Sequence, residues 1–342
     1  MRVPRLRIVF VTAIAVVAAT VAVAAPSVAH FRVRSFFGPP LTVPQSQLAA
    51  ALSCPQSLHH AKRNPVLLVP GTGLTGPESW GWNYAQSLPA AGFPVCVVTL
   101  PDFTLGDATV ASQYVVFAIR SMFLQSGRQV DVMGFSQGGL ENRWALRFWP
   151  DLRFLVDDYI SIVTPQHGTT TTAPLCPPAT PGCNPALFQQ AIGSNFLTAL
   201  NRRHEIFPGP SYTALFTRND DVVQPQTDPN PSSALAPRFF VASSSIPVQS
   251  VCPNADQNPV SPHIGSLADA TFYALVIDAL SHPGPAKASR IAHNVCSQTY
   301  APGIDPATVL GTIGNSLGIA FQRILTEPTV PAEPPLPAYA TH

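Results

Sequence analysis

The stretch Gly134-Phe135-Ser136-Gln137-Gly138-Gly139 decides the fold that we expect for this chain. It follows the apolar run at residues 130–133 and precedes a helix-like segment, residues 140–148, that stops before Pro150. A strand, a Gly-x-Ser-x-Gly turn and a helix in this order form a nucleophile elbow, which projects the serine hydroxyl above a sheet. The helix N-terminus then favours negative charge nearby. The pattern predicts that Ser136 is a nucleophile, although an ordinary Gly-Ser turn can produce the same five residues.

Apolar runs on either side of the elbow predict further strands that alternate with helices. Residues 66–69 and 95–100 are predicted to be buried strands, because they are short, apolar and bounded by proline. Residues 110–124 are predicted to form a helix that stops at Gly127. Later strands are predicted at residues 159–163, 212–216 and 239–241. Strands that alternate with helices indicate an α/β fold with a mostly parallel, doubly wound sheet.

Length and composition limit the function classes. The chain has 342 residues, enough for one large α/β domain or two small ones. Its net charge is +1 and no basic stripe appears, which argues against nucleic-acid binding. A hydrophobic content of 46% argues against a disordered chain.

The N-terminus has the pattern of a secretory signal peptide. Three arginines lie within the first seven residues, and an almost wholly apolar run follows at residues 8–25. Small residues offer cleavage sites after Ala24 or Ala29. The alternative is an uncleaved membrane anchor, because the run is near spanning length. We expect a signal peptide at 1–29, a catalytic domain at 30–326 and a Pro-rich tail at 327–342.

Six cysteines fit an exported protein, in which an even count indicates disulfides. The sequence has no Cys-x-x-Cys pair, which argues against a zinc site. Cys176 and Cys183 lie in the long Thr- and Pro-rich loop 168–185 and are expected to staple it. The other four can pair in three ways. They are Cys54, Cys96, Cys252 and Cys296.

A serine nucleophile needs a base and an acid that orients the base, and in α/β-hydrolases these follow the serine as acid and then histidine. Among the histidines downstream of Ser136, His263 lies in a turn-like entry to a helical stretch, where a loop can hold an imidazole over a sheet edge. Asp220 and Asp221 follow a predicted strand, the expected place for the acid. Neighbouring residues point in different directions, so only one of the two is expected to reach the histidine.

The oxyanion of an acyl-transfer reaction needs backbone N–H donors. One is expected from Gln137, directly after the nucleophile, and the other from Thr72, in the loop after the first predicted strand. The same loop, residues 71–76, also matches the Gly-x-Gly-x-x-Gly pattern of dinucleotide-binding folds. Pro77 follows at once and disfavours that interpretation.

Five blocks of this sequence, in the same order, resemble the Candida antarctica lipase B-like family of serine lipases and esterases. Members of that family have the α/β-hydrolase fold and cleave carboxylic esters and acylglycerols without a cofactor. The similarity runs from about residue 52 to residue 281. The blocks are Leu68-Val69-Pro70-Gly71-Thr72-Gly73, Thr75-Gly76-Pro77, Phe135-Ser136-Gln137-Gly138-Gly139-Leu140, Asn219-Asp220-Asp221-Val222-Val223-Gln224-Pro225 and His263-Ile264-Gly265-Ser266-Leu267.

The resemblance implies a triad of Ser136, Asp220 and His263, and so it selects Asp220 over its neighbour. It implies Thr72 and Gln137 as the oxyanion donors. It also implies disulfides Cys54–Cys96 and Cys252–Cys296, with Cys176–Cys183 as an addition.

The resemblance also implies a substrate pocket. Gln190, Val222 and Val223 match positions that line it in the family. Phe135 and Gln166 stand at pocket positions where the family has Trp and Asp, so we expect a differently shaped pocket.

We therefore expect an exported serine ester hydrolase that acts on lipid or other carboxylic esters, without a cofactor, metal or required protein partner. One alternative is an acyltransferase with the same triad, and another is a catalytically silent binding module. Residues 168–185 and the apolar helical pattern at 309–325 are hypothesised to cover the pocket. For the second segment, packing against the core is the favoured alternative.

Overall fold

The computed structural model describes residues 36–176 and 182–341. The predicted signal peptide and its two cleavage sites lie outside these residues. Within them, no helix is both long enough and apolar enough to cross a membrane.

The described strands form one sheet with a single antiparallel edge. They are β1 (Leu52–Ser53), β2 (Val66–Val69), β3 (Val95–Val98), β4 (Val130–Phe135), β5 (Val156–Ile162), β6 (Ser211–Phe216) and β7 (Ser243–Pro247). Their order across the sheet is β1-β3-β2-β4-β5-β6-β7. Strand β1 runs antiparallel to β3, and all other neighbours are parallel. The predicted mostly parallel sheet is confirmed.

Helices cover both faces of this sheet. The described α-helices are α1 (Gln45–Ala50), α2 (Gly76–Trp80), α3 (Tyr84–Ala90), α4 (Ala108–Ser126), α5 (Gly138–Phe148), α6 (Leu152–Leu155), α7 (Thr172–Leu175), α8 (Pro185–Gln190), α9 (Asn195–Asn201), α10 (Pro262–Gly265), α11 (Ala270–Ser281) and α12 (Val309–Thr326). Two apolar clusters result, one containing Trp144 of α5 and the other Phe272 of α11. Because both faces are covered, the central strands β2, β3 and β4 are buried throughout, and their sequences are apolar runs interrupted only by Asp131 in β4.

Local signals set the limits of the longest helix, α4. The carboxylate of Asp107 caps its first turn by accepting a hydrogen bond from the N–H of Thr109 at 2.8 Å. Gly127 ends it in the left-handed conformation, with φ at 65°. The helix predicted at residues 110–124 is thus confirmed and is slightly longer than predicted.

The strand predicted at residues 239–241 is wrong. Phe239 and Phe240 lie in an exposed turn, and the strand of this region begins at Ser243. Strand β7 lies at the sheet edge, is only half-buried and starts with three serines, so it lacks the apolar run that marks an interior strand.

Three disulfides join Cys54 to Cys96, Cys176 to Cys183 and Cys252 to Cys296. The first and third are the pairs that the family resemblance implies, and the second is the one expected to staple the long loop. The Pro-rich C-terminal segment, residues 327–341, packs on the body of the protein. Cys183 and Val330 exchange backbone hydrogen bonds there, at 2.9 and 2.8 Å.

Candidate active site

Ser136 occupies the turn between β4 and α5. Its backbone is left-handed, with φ at 51°, and the residue is 4% exposed. A Cβ on Gly134 would collide with the backbone of Gly139, and one on Gly138 would collide with the carbonyl oxygen of Val69. The turn therefore requires glycine on both sides of the serine. The strained backbone is held by its surroundings, which is common at functional sites.

His263 and Asp220 form a buried pair beside this turn. The Nδ1 atom of His263 lies 3.0 Å from each carboxylate oxygen of Asp220. Their side chains are 5% and 0% exposed. Asp220 Oδ1 also accepts hydrogen bonds from the N–H groups of Val222 and Val223, at 2.8 and 2.7 Å. The carboxylate is thus fixed in position and can orient the imidazole through its Nδ1–H.

Asp221 has a different role from its neighbour. Its Oδ1 accepts hydrogen bonds from the backbone N–H of His263 at 2.8 Å and from the hydroxyl of Ser261 at 3.0 Å. The two adjacent aspartates therefore hold His263 from two sides, one at the ring and one at the backbone. Sequence reasoning predicted that the two would diverge, but it gave Asp221 no role.

Thr72 and Gln137 meet next to the serine. The hydroxyl of Thr72 donates to Oε1 of Gln137 at 2.7 Å. Nε2 of Gln190 donates to the same Oε1 at 2.9 Å and to the Thr72 hydroxyl at 3.0 Å. Within the described part of the chain, the backbone N–H groups of Thr72 and Gln137 donate no hydrogen bond. Both N–H groups can therefore donate hydrogen bonds to an oxyanion.

Sequence reasoning missed Glu141, which lies behind this network. Nε2 of Gln137 donates to Oε1 of Glu141 at 2.7 Å, and Oε2 of Glu141 has no hydrogen-bond partner among the described residues. Complete burial, with a smaller contribution from the nearby charge of Asp107, raises the pKa of Glu141 to about 8. A charged residue on the otherwise apolar first turn of a helix is the only signal that could have pointed to it.

A cavity of about 190 Å³ opens onto these groups. Ser136 and His263 both line it, together with Thr72 and Gln190. The rest of its wall is mostly apolar, as a site for an acyl chain requires. The wall includes the predicted residues Phe135, Val222 and Val223, and also Leu74, Leu187 and Ile264.

Both segments that were hypothesised to cover the pocket reach this cavity. Thr169, Thr171, Thr172 and Leu175 of the long loop contribute to its wall. So does one face of α12, which was expected to pack on the core. Val309 and Ile313 of that helix are indeed buried, whereas its later turns line the cavity through Leu317, Ala320, Phe321 and Ile324.

Gln166 is the one predicted pocket residue that lies apart from the cavity. Its side chain is wholly buried beneath α5, where its Oε1 accepts a hydrogen bond from Arg143 at 2.9 Å. Its Nε2 donates to the hydroxyls of Tyr159 and Ser161, at 3.0 and 3.1 Å. The expectation that it binds substrate is corrected: the buried arginine and the two hydroxyls turn its amide away from the site.

A larger, polar cavity of about 330 Å³ lies beside the Cys252–Cys296 disulfide. Its walls contain neither Ser136 nor His263. Asp256, a residue of this cavity, is buried, and burial raises its pKa to about 9. Because Ser136 and His263 line the smaller cavity and not this one, the smaller cavity is the candidate active site.

Comparisons with known proteins agree with this geometry. Lipase B of Pseudozyma antarctica is 31% identical over 339 residues, which cover 98% of this chain and 95% of that relative. The crystal structure of Aspergillus fumigatus lipase B matches with a TM-score of 0.82 and 32% identity, over 89% of this chain and 74% of that one. No family model matches the sequence.

Proposed function

The chain belongs to the lipase B family of α/β-hydrolases and is a carboxylic ester hydrolase, and on that basis we propose that it forms an acyl-enzyme on Ser136. The expected α/β-hydrolase fold is confirmed by the same relatives. The observation that carries the proposal is the buried Asp220–His263 pair, whose imidazole lines the same cavity as the serine hydroxyl.

The reaction would begin when Ser136 Oγ attacks the ester carbonyl carbon and His263 Nε2 takes the hydroxyl proton. Asp220 accepts the Nδ1–H of His263 and stabilises the imidazolium that forms. The oxyanion that forms on the carbonyl oxygen accepts hydrogen bonds from the backbone N–H groups of Thr72 and Gln137. His263 then returns its proton to the departing alkoxide, which leaves the acyl group on Ser136. A water molecule then attacks the acyl-enzyme in the same way, with His263 again taking the proton, and the carboxylic acid is released from Ser136.

The substrates that fit are esters of apolar acids. Leu74, Leu187, Val222 and Val223 line the cavity together with Ser136 and His263. An acyl chain can therefore lie against the apolar wall with its carbonyl at the serine. Neither a cofactor nor a protein partner is required for these steps.

We also propose that the protein is secreted. Three disulfides fit an oxidising compartment, and the first 29 residues have the signal-peptide pattern. Sequencing the N-terminus of protein recovered from the culture medium tests this: it should begin after Ala24 or Ala29. The proposed catalytic domain then spans 30–326 and the C-terminal segment 327–342.

Labelling with a fluorophosphonate probe tests the nucleophile. Wild-type protein should be labelled, and Ser136→Ala should not be. The same change should lower hydrolysis of p-nitrophenyl butyrate by about 10⁴-fold or more, leaving the residual catalysis of binding and the oxyanion donors. Ser289→Ala, at an exposed serine, is the matched control and should keep both properties. A folded Ser136→Ala protein with near-wild-type turnover would overturn the proposal.

A further inference from the structure

Three arginines surround Phe207, and two more lie near one of them, at the end of the sheet opposite to the candidate active-site cavity. Ser136 follows the carboxyl end of β4, whereas Phe207 lies before β6, at the amino ends of the parallel strands. We call this region the Phe207 surface. It consists of Phe207 with Arg147, Arg153, Arg202, Arg203 and Arg238.

Aromatic and backbone contacts keep these charges together. The guanidinium carbon of Arg153 lies 3.9 Å from the centre of the Phe207 ring, and those of Arg147 and Arg238 lie at 5.6 and 5.9 Å. Arg147 also donates to the carbonyl oxygens of His204 and Arg202, at 3.0 and 2.8 Å. Arg147 therefore fixes the backbone at Arg202 and His204, and the side chains of Arg202 and Arg203 remain exposed.

The positive charge of this surface is not neutralised by carboxylates. None of its five arginines forms a salt bridge within the described residues. Glu205, in the same stretch of chain, is turned to His167 Nε2 and the N–H of Ala236, at 2.8 Å each. Burial, and to a smaller extent the positive charges of four neighbouring arginines, lowers the pKa of Arg147 to about 10. Five of the chain's 19 basic residues thus form one unpaired cluster.

Two phenylalanines project next to this cluster. Phe239 and Phe240 follow Arg238 directly and are 83% and 89% exposed. Their rings lie 4.0 Å apart, centre to centre. Two adjacent exposed phenyl rings are unfavourable in water, and such patches commonly mark an interaction site.

We propose that the Phe207 surface, with Phe239 and Phe240, docks on an anionic lipid bilayer. Arginines beside exposed aromatic rings fit such a surface, because lipid phosphates attract the cations and the acyl boundary accepts the rings. A soluble polyanion would engage the arginines and leave the rings in water. A bilayer of neutral lipid would accept the rings without the charge attraction. Docking at this end leaves the catalytic cavity facing away from the bilayer and open to substrate.

Co-sedimentation with vesicles tests the proposal. The protein recovered from the culture medium is used in a Ser136→Ala background, so that no lipid is hydrolysed. It should bind vesicles made of phosphatidylcholine and phosphatidylglycerol in roughly equal parts, bind pure phosphatidylcholine far less, and dissociate at roughly 0.5 M salt. Arg202→Gln/Arg203→Gln should lower the partition coefficient by about 25-fold, at about fivefold for each cation. Arg202→Lys/Arg203→Lys should retain most of it.

The matched control is Lys62→Gln/Lys287→Gln, which removes the same charge from two exposed lysines elsewhere. It should bind like the parent protein. Phe239→Ser/Phe240→Ser should also weaken vesicle binding, at unchanged net charge. Equal loss in the lysine control, equal binding to both vesicle types, or no effect of the phenylalanine changes would overturn the proposal. So would binding to heparin with no binding to the vesicles, since that outcome identifies a soluble polyanion.

Discussion

The guanidinium of Arg323 donates hydrogen bonds to both carboxylate oxygens of Glu78, at 2.6 and 2.9 Å, and so attaches α12 to the segment that follows Thr72. The same guanidinium donates to the carbonyl oxygen of Gly73 at 2.9 Å. Glu78 also accepts from the N–H of Thr75 at 2.8 Å, as the acid of a capping box. One wall of the candidate active-site cavity is therefore tied to the loop that carries Thr72, the proposed oxyanion donor.

Replacing Arg323 by Met should release this attachment. We expect the free energy of unfolding to fall by about 1–3 kcal/mol, because hydrogen bonds to charged groups are lost. Urea denaturation measures this, and Arg218→Met is the control, since its ion pair with Asp228 is exposed and should contribute little. An equal effect in both variants would contradict the prediction.

The same pair should impose a pH dependence at the acid end. The Arg323 hydrogen bond lowers the pKa of Glu78 from 4.5 to about 2. Because the carboxyl pKa is lower in the folded state, Glu78 stabilises that state at pH values above 4.5. This contribution is lost as pH falls from 4.5 towards 2. The stability difference between wild type and Arg323→Met should therefore shrink across that range.

The two aspartates at His263 should respond differently to substitution. Asp220→Asn replaces the carboxylate by a neutral amide whose NH2 group faces Nδ1 of His263, so it favours the wrong imidazole tautomer and cannot stabilise the imidazolium; we expect kcat to fall by about 10⁴-fold. Asp221→Asn keeps an oxygen for the N–H of His263 and should stay within several-fold of wild type. Asp221→Ala lacks that oxygen, and its kcat should fall roughly ten- to a hundredfold because the imidazole is misplaced. Measured kcat values decide, and greater damage from Asp221→Asn than from Asp220→Asn would move the triad by one residue.

These aspartates illustrate how far the sequence could predict the site. The elbow, Thr72 and His263 follow strand ends or turns whose signals are local, so their proximity could be inferred from the topology of a parallel sheet. Which way a side chain turns at the end of a strand depends on partners distant in sequence. Gln166 follows its strand as expected, yet Arg143 and two hydroxyls draw it beneath α5.

The same limit applies to the edge of the sheet. Residues 130–135 are buried and, apart from Asp131, carry no charged or polar side chain, so their strand could be predicted from this local pattern. Strand β7 is held by pairing with β6 rather than by an apolar run, since three of its five residues are serine. Phe239 and Phe240 carried the apolar signal instead, and they lie exposed outside the strand.

Glu141 should make the protein less stable as pH rises. Its pKa is raised from 4.5 to about 8 by burial, so the folded state retains a proton that the unfolded state releases between these values. The free energy of unfolding should therefore fall across this window, by up to about 1.4 kcal/mol per pH unit for one group. Glu141→Gln keeps the shape and removes the proton. The variant should be more stable than wild type at pH 8 and closer to it at pH 5, as measured by urea denaturation. The same difference in the free energy of unfolding at both pH values would contradict this.

The wall formed by α12 should set which acyl chains enter the cavity. Leu317 lines the cavity, whereas Leu325 on the same helix is 67% exposed and does not line it. Leu317→Trp should fill part of the roughly 190 Å³ and shift the preference towards short chains, because pocket volume discriminates acyl groups without changing the chemistry. Leu325→Trp adds the same bulk outside the cavity and is the matched control. The measurement is kcat/KM across p-nitrophenyl esters from acetate to palmitate, with fluorophosphonate labelling of Ser136 as a check that the nucleophile remains active. Identical chain-length profiles for the two variants would show that α12 does not select the acyl chain.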